Sequence, residues 1–274
     1  MVMPYWQSAL LGVVEGLTEF LPVSSTSHLL LTQRLLGQTQ DEAANAYIIC
    51  IQAGAIAAVV GLYARHLRAM VLGVLGRDLL GRNLSLNVIA GFVPAAVIGG
   101  LFDKKIERYL FGLWPVVAAW FIGGVLIVAL HKRLAPGRPG RSLSALTVRD
   151  AVLIGLAQCV AMWPGTSRSL ATILAGLAVG LEMSAAVEFS FLLGLVTLSA
   201  ATAVKLLKSG AVMFQTYGAA SISLGFALAA VSAFVAVRWM VGWLQRRGLA
   251  VFGYYRIALA AVVTGLLLAG RVAP

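Results

Sequence analysis

Two short polar stretches interrupt an otherwise apolar chain: "EGLTEFLPVSSTSH" at residues 15–28 and "WPGTSRS" at residues 163–169. The first carries Glu15 and Glu19, four apart, so on one helix their carboxylates share a face and repel when both are ionised. A shared proton, a divalent cation or Arg168 would settle that repulsion. Mg²⁺ or Ca²⁺ fits best beside a diphosphate, because carboxylates and substrate oxygens together form the usual environment of such ions. In each stretch a proline, Pro22 or Pro164, stops the incoming helix, since the residue before it is driven out of the α region. Small hydroxyl residues follow, Ser24, Ser25 and Thr26 in the first and Thr166 and Ser167 in the second, and these types start helices by accepting from first-turn amides. Two helix N-termini then point inward, with free N–H groups and partial positive charge suited to a phosphate.

Arg168 follows Ser167 in an apolar setting where an unpaired charge is costly. Its planar fork matches two phosphate oxygens; the structural alternative is a pairing with a glutamate that only holds the chain together. His28 lies three residues beyond Ser25, on the adjacent turn, and is either a proton-transfer group or a satisfied structural histidine. Thr172, one turn after Arg168, reaches the same pocket or bonds its own helix backbone. Gln52 and Glu188 are further polar positions in apolar segments, each suited to lining a cavity or capping a neighbouring helix.

The elements that must position these residues are membrane helices. Hydrophobic residues make up 60% of the chain and charged ones only 11%, with mean hydropathy +0.92, well outside the range of soluble domains. A pI near 10.3 suggests nucleic acid, but the 21 Lys and Arg are scattered between apolar runs and form no basic stripe, so nucleic-acid binding is excluded. Cys50 and Cys159 lie in apolar stretches and behave as small buried hydrophobes. The N-terminal apolar run lacks a basic lead and a cleavage site and contains Glu15 and Glu19, so a cleaved signal peptide is not expected.

A hydrocarbon core of about 30 Å needs roughly 20 apolar residues per helix. Segments near 45–64, 85–101, 112–131, 185–204, 217–237 and 250–270 qualify, whereas 5–37 and 148–182 are each broken near the middle by a polar stretch into halves too short to cross. The two broken regions align, Gly12 with Gly155, Glu15 with Gln158, Pro22 with Pro164 and Ser25 with Ser167, which reads as an internal duplication with halves near 1–137 and 145–274. If each broken region enters and leaves by one face, each half holds three spans and the second half is inverted. The expected fold is therefore all-α and membrane-integral, a single polytopic domain over 1–274 with six transmembrane helices and two re-entrant hairpins meeting near the midplane.

Connections at 65–84, 132–149 and 238–249 carry twelve Lys and Arg, against seven on the other side: Arg34, Lys104, Lys105, Arg108, Lys205, Lys208 and Arg271. Arg256 adds to the richer face, which the positive-inside rule makes cytoplasmic. Both termini and the mouth of the first broken region are then expected outside.

Together, "EGLTEFLPVSSTSHL" and "PGTSRSLAT" resemble the two signature motifs of the bacterial undecaprenyl-diphosphate phosphatase family, the one associated with bacitracin resistance. The likeness extends over essentially the whole chain, including "IQAGAIAAVV" after the first motif and "EFSFLLG" after the second. It departs at Ser27 and Leu170, where the family usually has glycine. The resemblance implies hydrolysis of undecaprenyl diphosphate to the monophosphate on the outer (periplasmic) side of the bacterial inner membrane, with a divalent cation, recycling the lipid carrier for the cell wall. It carries over Glu15, Glu19, Ser24, Ser25, Thr26 and His28 from the first half and Ser167, Arg168, Ser169 and Thr172 from the second. Ser25, His28, Glu19 and Arg168 are then expected in the chemistry. Ser24, Thr26, Ser167, Arg168, Ser169 and Thr172 are expected to hold substrate, and Glu15 and Glu19 to hold Mg²⁺ or Ca²⁺. The expected partners are a polyprenyl diphosphate lipid and the bilayer, with a homodimer compatible with the sequence. For the nucleophile, Ser25 with His28 or a glutamate as base is favoured over direct attack by His28 or an activated water. A transporter or flippase for a phosphorylated lipid or solute is the rival reading, since broken helices in inverted repeats are also a transporter layout.

Overall fold

The computed structural model describes residues 3–38, 41–110, 112–131 and 137–273, with the backbone alone for 103–108. Lys132 and Arg133, and the side chains of Lys104, Lys105 and Arg108, which enter the loop-charge comparison, lie outside the described residues. Among the described residues the chain is all-helical. The helices are α1 (Tyr5–Thr18), α2 (Ser25–Leu35), α3 (Glu42–Leu62), α4 (Ala64–Val74), α5 (Leu79–Leu110), α6 (Leu113–Ala129), α7 (Val148–Val160), α8 (Arg168–Ala178), α9 (Met183–Arg247) and α10 (Ala250–Leu268).

Four of these are long and apolar enough to cross a membrane by length and composition: α3, residues 79–102 of α5, α9 and α10. At 1.5 Å per residue a straight α9 of 65 residues would be far longer than a bilayer is thick. Gly218, with φ 72° and ψ 152°, breaks it into segments 183–217 and 219–247, each of spanning length. α6, with 17 residues, stands at the short end of the spanning range. α4 is a helix where the loop charges Arg65 and Arg68 suggest only a connection. Leu67 and Met70 on one side of it pack into the core, which is what stabilises so short a helix against α5.

α1 and α7, of 14 and 13 residues, and α2 and α8, of 11 each, are too short to cross alone. α7 starts on a reciprocal capping box between Thr147 and Asp150. α1 packs on the second segment of α9 and α7 packs on α5, both through glycine crossings that bring backbones together. A Cβ at Gly12 would stand 2.4 Å from the Gly225 carbonyl oxygen, and one at Gly155 would stand 2.1 Å from that of Gly91. Only glycine allows either approach.

Ser24 and Ser167 immediately precede α2 and α8, both with φ 74°, and among the described residues no other non-glycine residue has positive φ. This corrects the alignment of Ser25 with Ser167: by backbone, Ser24 corresponds to Ser167 and Ser25 to Arg168. The second stretch has one residue more between its proline and its helix, which shifts the register.

Candidate active site

The two polar stretches lock onto each other. The Gly165 amide donates to Ser24 Oγ at 3.2 Å, and Ser169 Oγ donates to the Leu21 carbonyl at 3.0 Å. Trp120 of α6 fixes the first stretch from behind by donating its indole N–H to the Val23 carbonyl at 2.9 Å. A serine held at positive φ costs about 1–3 kcal/mol, and such residues persist where their surroundings over-determine them. Ser24 and Ser167 sit at that junction.

Beside the junction lies a cavity of about 210 Å³. Glu19, Ser24, Ser25 and Thr26 line it from the first stretch, and Pro164, Ser167 and Arg168 from the second. Glu19 is the hub, only 7% exposed. Ser25 Oγ donates to Glu19 Oε2, and Gln52 Nε2 donates to the same oxygen at 3.2 Å. Arg168 Nη2 reaches Glu19 Oε1 at 3.4 Å, while its Nη1 donates to the Ser190 carbonyl at 3.2 Å and its guanidinium lies 5.6 Å from the centre of the Phe20 ring. Arg168 Nε is buried with no partner, leaving an unused donor on a residue of the cavity wall. A serine hydroxyl, a carboxylate able to take its proton and a guanidinium thus meet on one wall, and together they suit displacement at a phosphorus centre.

Glu15 lies one turn deeper on α1, 1% exposed, and both its carboxylate oxygens are buried without a hydrogen-bond partner. A buried carboxylate in that condition calls for a cation or a proton. Among the described residues no group of three or more His, Cys, Asp or Glu forms a ready-made metal cage, so an ion here would need oxygens from another source.

The other expected site residues are placed away from the cavity. His28 turns from it: Nδ1 lies 2.6 Å from the Ser24 carbonyl, Nε2 lies 2.7 Å from the Tyr255 hydroxyl, and the ring stacks on Tyr255. Both nitrogens are thus engaged, and Ser25 has Glu19 as its neighbouring base. Thr172 bonds the Arg168 carbonyl at 2.9 Å and Ser190 Oγ at 2.6 Å, and Ser169 is fully buried against Leu21. Of the two further polar positions, Gln52 lines the cavity, whereas Glu188 is 3.8 Å from His66 and partly exposed. Ser27 is buried with its hydroxyl 3.2 Å from that of Ser24, and Leu170 packs in the apolar core, so both departures from the motif pattern are accommodated.

Gln158 and Thr197 line the cavity as well, although sequence reasoning assigned them no role. The signal for Gln158 was its alignment opposite Glu15. Arg256 requires a correction: counted as a charge near the basic face, it is fully buried and bonded to carbonyls of both polar stretches. Its place in the middle of an apolar run was the pointer, since a charge there is rarely idle.

Comparison with known proteins gives consistent matches. The family model described as "Bacitracin resistance protein BacA" matches residues 8–262. A protein of Sorangium cellulosum named undecaprenyl-diphosphatase is 44% identical over 265 residues, covering 96% of this chain and 86% of that protein. Undecaprenyl-diphosphatase 2 of Rhodospirillum rubrum is 42% identical, covering 97% of this chain and 96% of its own length. Undecaprenyl-diphosphatase 1 of Chromobacterium violaceum is also 42% identical, with 97% and 98% covered.

Proposed function

The chain belongs to the bacitracin resistance protein BacA family, and we propose that it hydrolyses undecaprenyl diphosphate to undecaprenyl phosphate and inorganic phosphate at the cavity between the two polar stretches. Such hydrolysis recycles the lipid carrier of cell-wall synthesis, and consuming the diphosphate is the source of bacitracin resistance. The observation that carries the reading is that Ser25 and Arg168 converge on one buried carboxylate, Glu19, in the cavity wall. A transporter or flippase would need the guanidinium and helix ends to hold an anion, but has no use for a hydroxyl poised against a buried base.

Arg168 and the first amides of α2 and α8 hold the phosphoryl oxygens of the substrate. Ser25 Oγ attacks the terminal phosphorus while Glu19 takes its proton, and the bond from that phosphorus to the bridging oxygen breaks. Undecaprenyl phosphate leaves, taking up the proton from Glu19. Water then attacks the phosphoserine, Glu19 accepting its proton and returning one to Ser25 Oγ as inorganic phosphate departs. Ser24, Thr26 and Ser167 line the phosphate end, while Ser169 and Thr172 set the junction and the start of α8 from behind. His28 acts as a positioning residue for the first turn of α2 through Ser24.

Glu15 and Glu19 are the residues that would hold Mg²⁺ or Ca²⁺, and the two unpartnered, buried oxygens of Glu15 support that assignment. Bound there, the ion would offset phosphoryl charge during displacement. Glu15→Gln, which keeps the shape and removes the charge, is expected to raise the divalent concentration giving half-maximal phosphate release at least tenfold. An unchanged metal titration would remove Glu15 from the cation site.

The reading extends to topology. The two short helix pairs are re-entrant hairpins, and the halves near 1–137 and 145–274 are inverted repeats. Six helices cross: α3, α5, α6, both segments of α9, and α10. Support comes from the common 143-residue offset of α2 and α8, the matched φ of Ser24 and Ser167, and the glycine crossings that pair α1 with the second half and α7 with the first. The excess of basic residues in the loops of one side supports an orientation with the cavity mouth and both termini outside the inner membrane. With Cys50 and Cys159 replaced by alanine, Ala273→Cys should react with an impermeant thiol reagent in intact cells and Ser144→Cys only after permeabilisation. The opposite pattern would reverse the orientation.

The activity itself is tested by incubating purified protein in detergent with a prenyl diphosphate and measuring released phosphate, with and without chelator. Release is expected with a divalent cation. No release under any metal condition would favour transport.

A further inference from the structure

Arg256 lies in the middle of α10, fully buried, and among the described residues it has no carboxylate partner. Its five N–H groups instead meet five backbone carbonyls. Nε donates to Trp120 at 3.4 Å and Nη2 to Ala119 at 2.9 Å, both on α6. Nη1 donates to Pro22 of the first polar stretch and to Thr166 of the second, each at 3.2 Å, and Nη2 also donates to Gly165 at 2.7 Å. One guanidinium therefore ties both stretches to α6. Gly123 makes the room: a Cβ there would stand 2.3 Å from Arg256 Nη2. A lysine cannot reproduce this arrangement, because a single ammonium has three donors at one point and the guanidinium has five spread over a fork.

The orientation of the peptides gives this contact a consequence at the cavity. In a trans peptide the carbonyl and the following N–H point in opposite directions, and the described chain has no cis peptide. Drawing the Thr166 carbonyl onto Arg256 therefore turns the Ser167 N–H away from Arg256, and Ser167 lines the cavity. The same guanidinium holds the Pro22 carbonyl of the first stretch, two residues before Ser24.

We propose that Arg256 is a positioning residue for the hydrolysis: by fixing both stretches on one buried fork it aims the N-termini of α2 and α8 at the phosphoryl group, and it stabilises the transition state more than the bound substrate. This rests on the phosphatase reading of the cavity. Removing one aimed donor set of this kind costs on the order of 10²-fold in kcat.

The test uses the full-length protein in detergent, with kcat, KM and melting temperature measured for Arg256→Lys and Gly123→Ala. The second variant keeps the guanidinium but pushes it off Gly165 and Ala119. Arg256→Lys is expected to lose about 10²-fold in kcat and Gly123→Ala about 10-fold, with KM within about threefold of the parent, because only transition-state contacts are lost. The loss is expected to exceed any fall in the folded fraction at the assay temperature. If Arg256→Lys does not fold, Gly123→Ala carries the test alone. Parental kcat in a folded variant, or a kcat that falls only with the folded fraction, would overturn the proposal. If the parent itself releases no phosphate, the phosphatase reading fails first. If the parent releases phosphate while the folded variants keep its kcat, the positioning role of Arg256 fails and the phosphatase reading stands.

Discussion

Ser25→Ala should reduce kcat/KM for a prenyl diphosphate by on the order of 10⁴-fold, about 5.4 kcal/mol of transition-state stabilisation, with little change in KM. The hydroxyl is placed against Glu19 Oε2 at the cavity wall, and alanine removes the attacking oxygen without enlarging the fold's demands elsewhere. Binding should persist, because Arg168 and the helix N-termini remain. Steady-state phosphate release, compared with the parent at saturating lipid, reads the effect. A variant that keeps a tenth or more of the parental rate would assign the attack to water or to another group, with Glu19 still available as base.

Arg168→Lys should cost on the order of 10³-fold in kcat, about 4 kcal/mol, although the charge is kept. The guanidinium spans Glu19 Oε1 and the Ser190 carbonyl while leaving Nε free, and it is the planar fork that allows all three directions at once. A lysine ammonium can hold Glu19 or face a phosphate but cannot do both with the same geometry. Arg168→Ala should be worse for the protein as well as for the reaction, since it strips a buried carboxylate of its cation, a loss typically worth about 3–5 kcal/mol of stability. Comparing the two variants separates the effects: Arg168→Lys should melt close to the parent and still be slow. Wild-type turnover by Arg168→Lys would place the phosphoryl contacts elsewhere.

Much of this site is legible in the sequence because its signals are local. α1 and α7 end shortly before Pro22 and Pro164, Ser24 and Ser167 precede α2 and α8 with only Ser167 capping its helix through its side chain, and halves of 13 or 14 residues cannot cross a bilayer, so two interruptions in matching places point to one shared pocket. The pairing of Ser25 and Arg168 on Glu19 follows that logic. What was not legible depends on contacts distant in sequence. His28 has the spacing of a proton-transfer partner for Ser25, but its ring direction is decided by Tyr255 and Trp120, which lie on α10 and α6. Arg256 stands inside an apolar run, but its partners, carbonyls of α6 and of both polar stretches, are all distant in sequence. The one-residue register shift that sets Ser25 opposite Arg168 was hidden for another reason. Pro-to-Pro alignment places the difference before the prolines, and only the backbone angles of Ser24 and Ser167 reveal that α2 and α8 return to the register of the helices before them.

The central claim is that Ser25 attacks phosphorus and carries the phosphoryl group, and covalent trapping tests it most directly. The protein would be mixed with prenyl diphosphate labelled on the terminal phosphate, quenched in acid within milliseconds, digested and mapped. Label on the peptide containing Ser25, absent from Ser25→Ala and accumulating in a burst before steady-state turnover, is the predicted result. Rapid turnover with no protein-bound label at any time, or label mapped to His28, would contradict it.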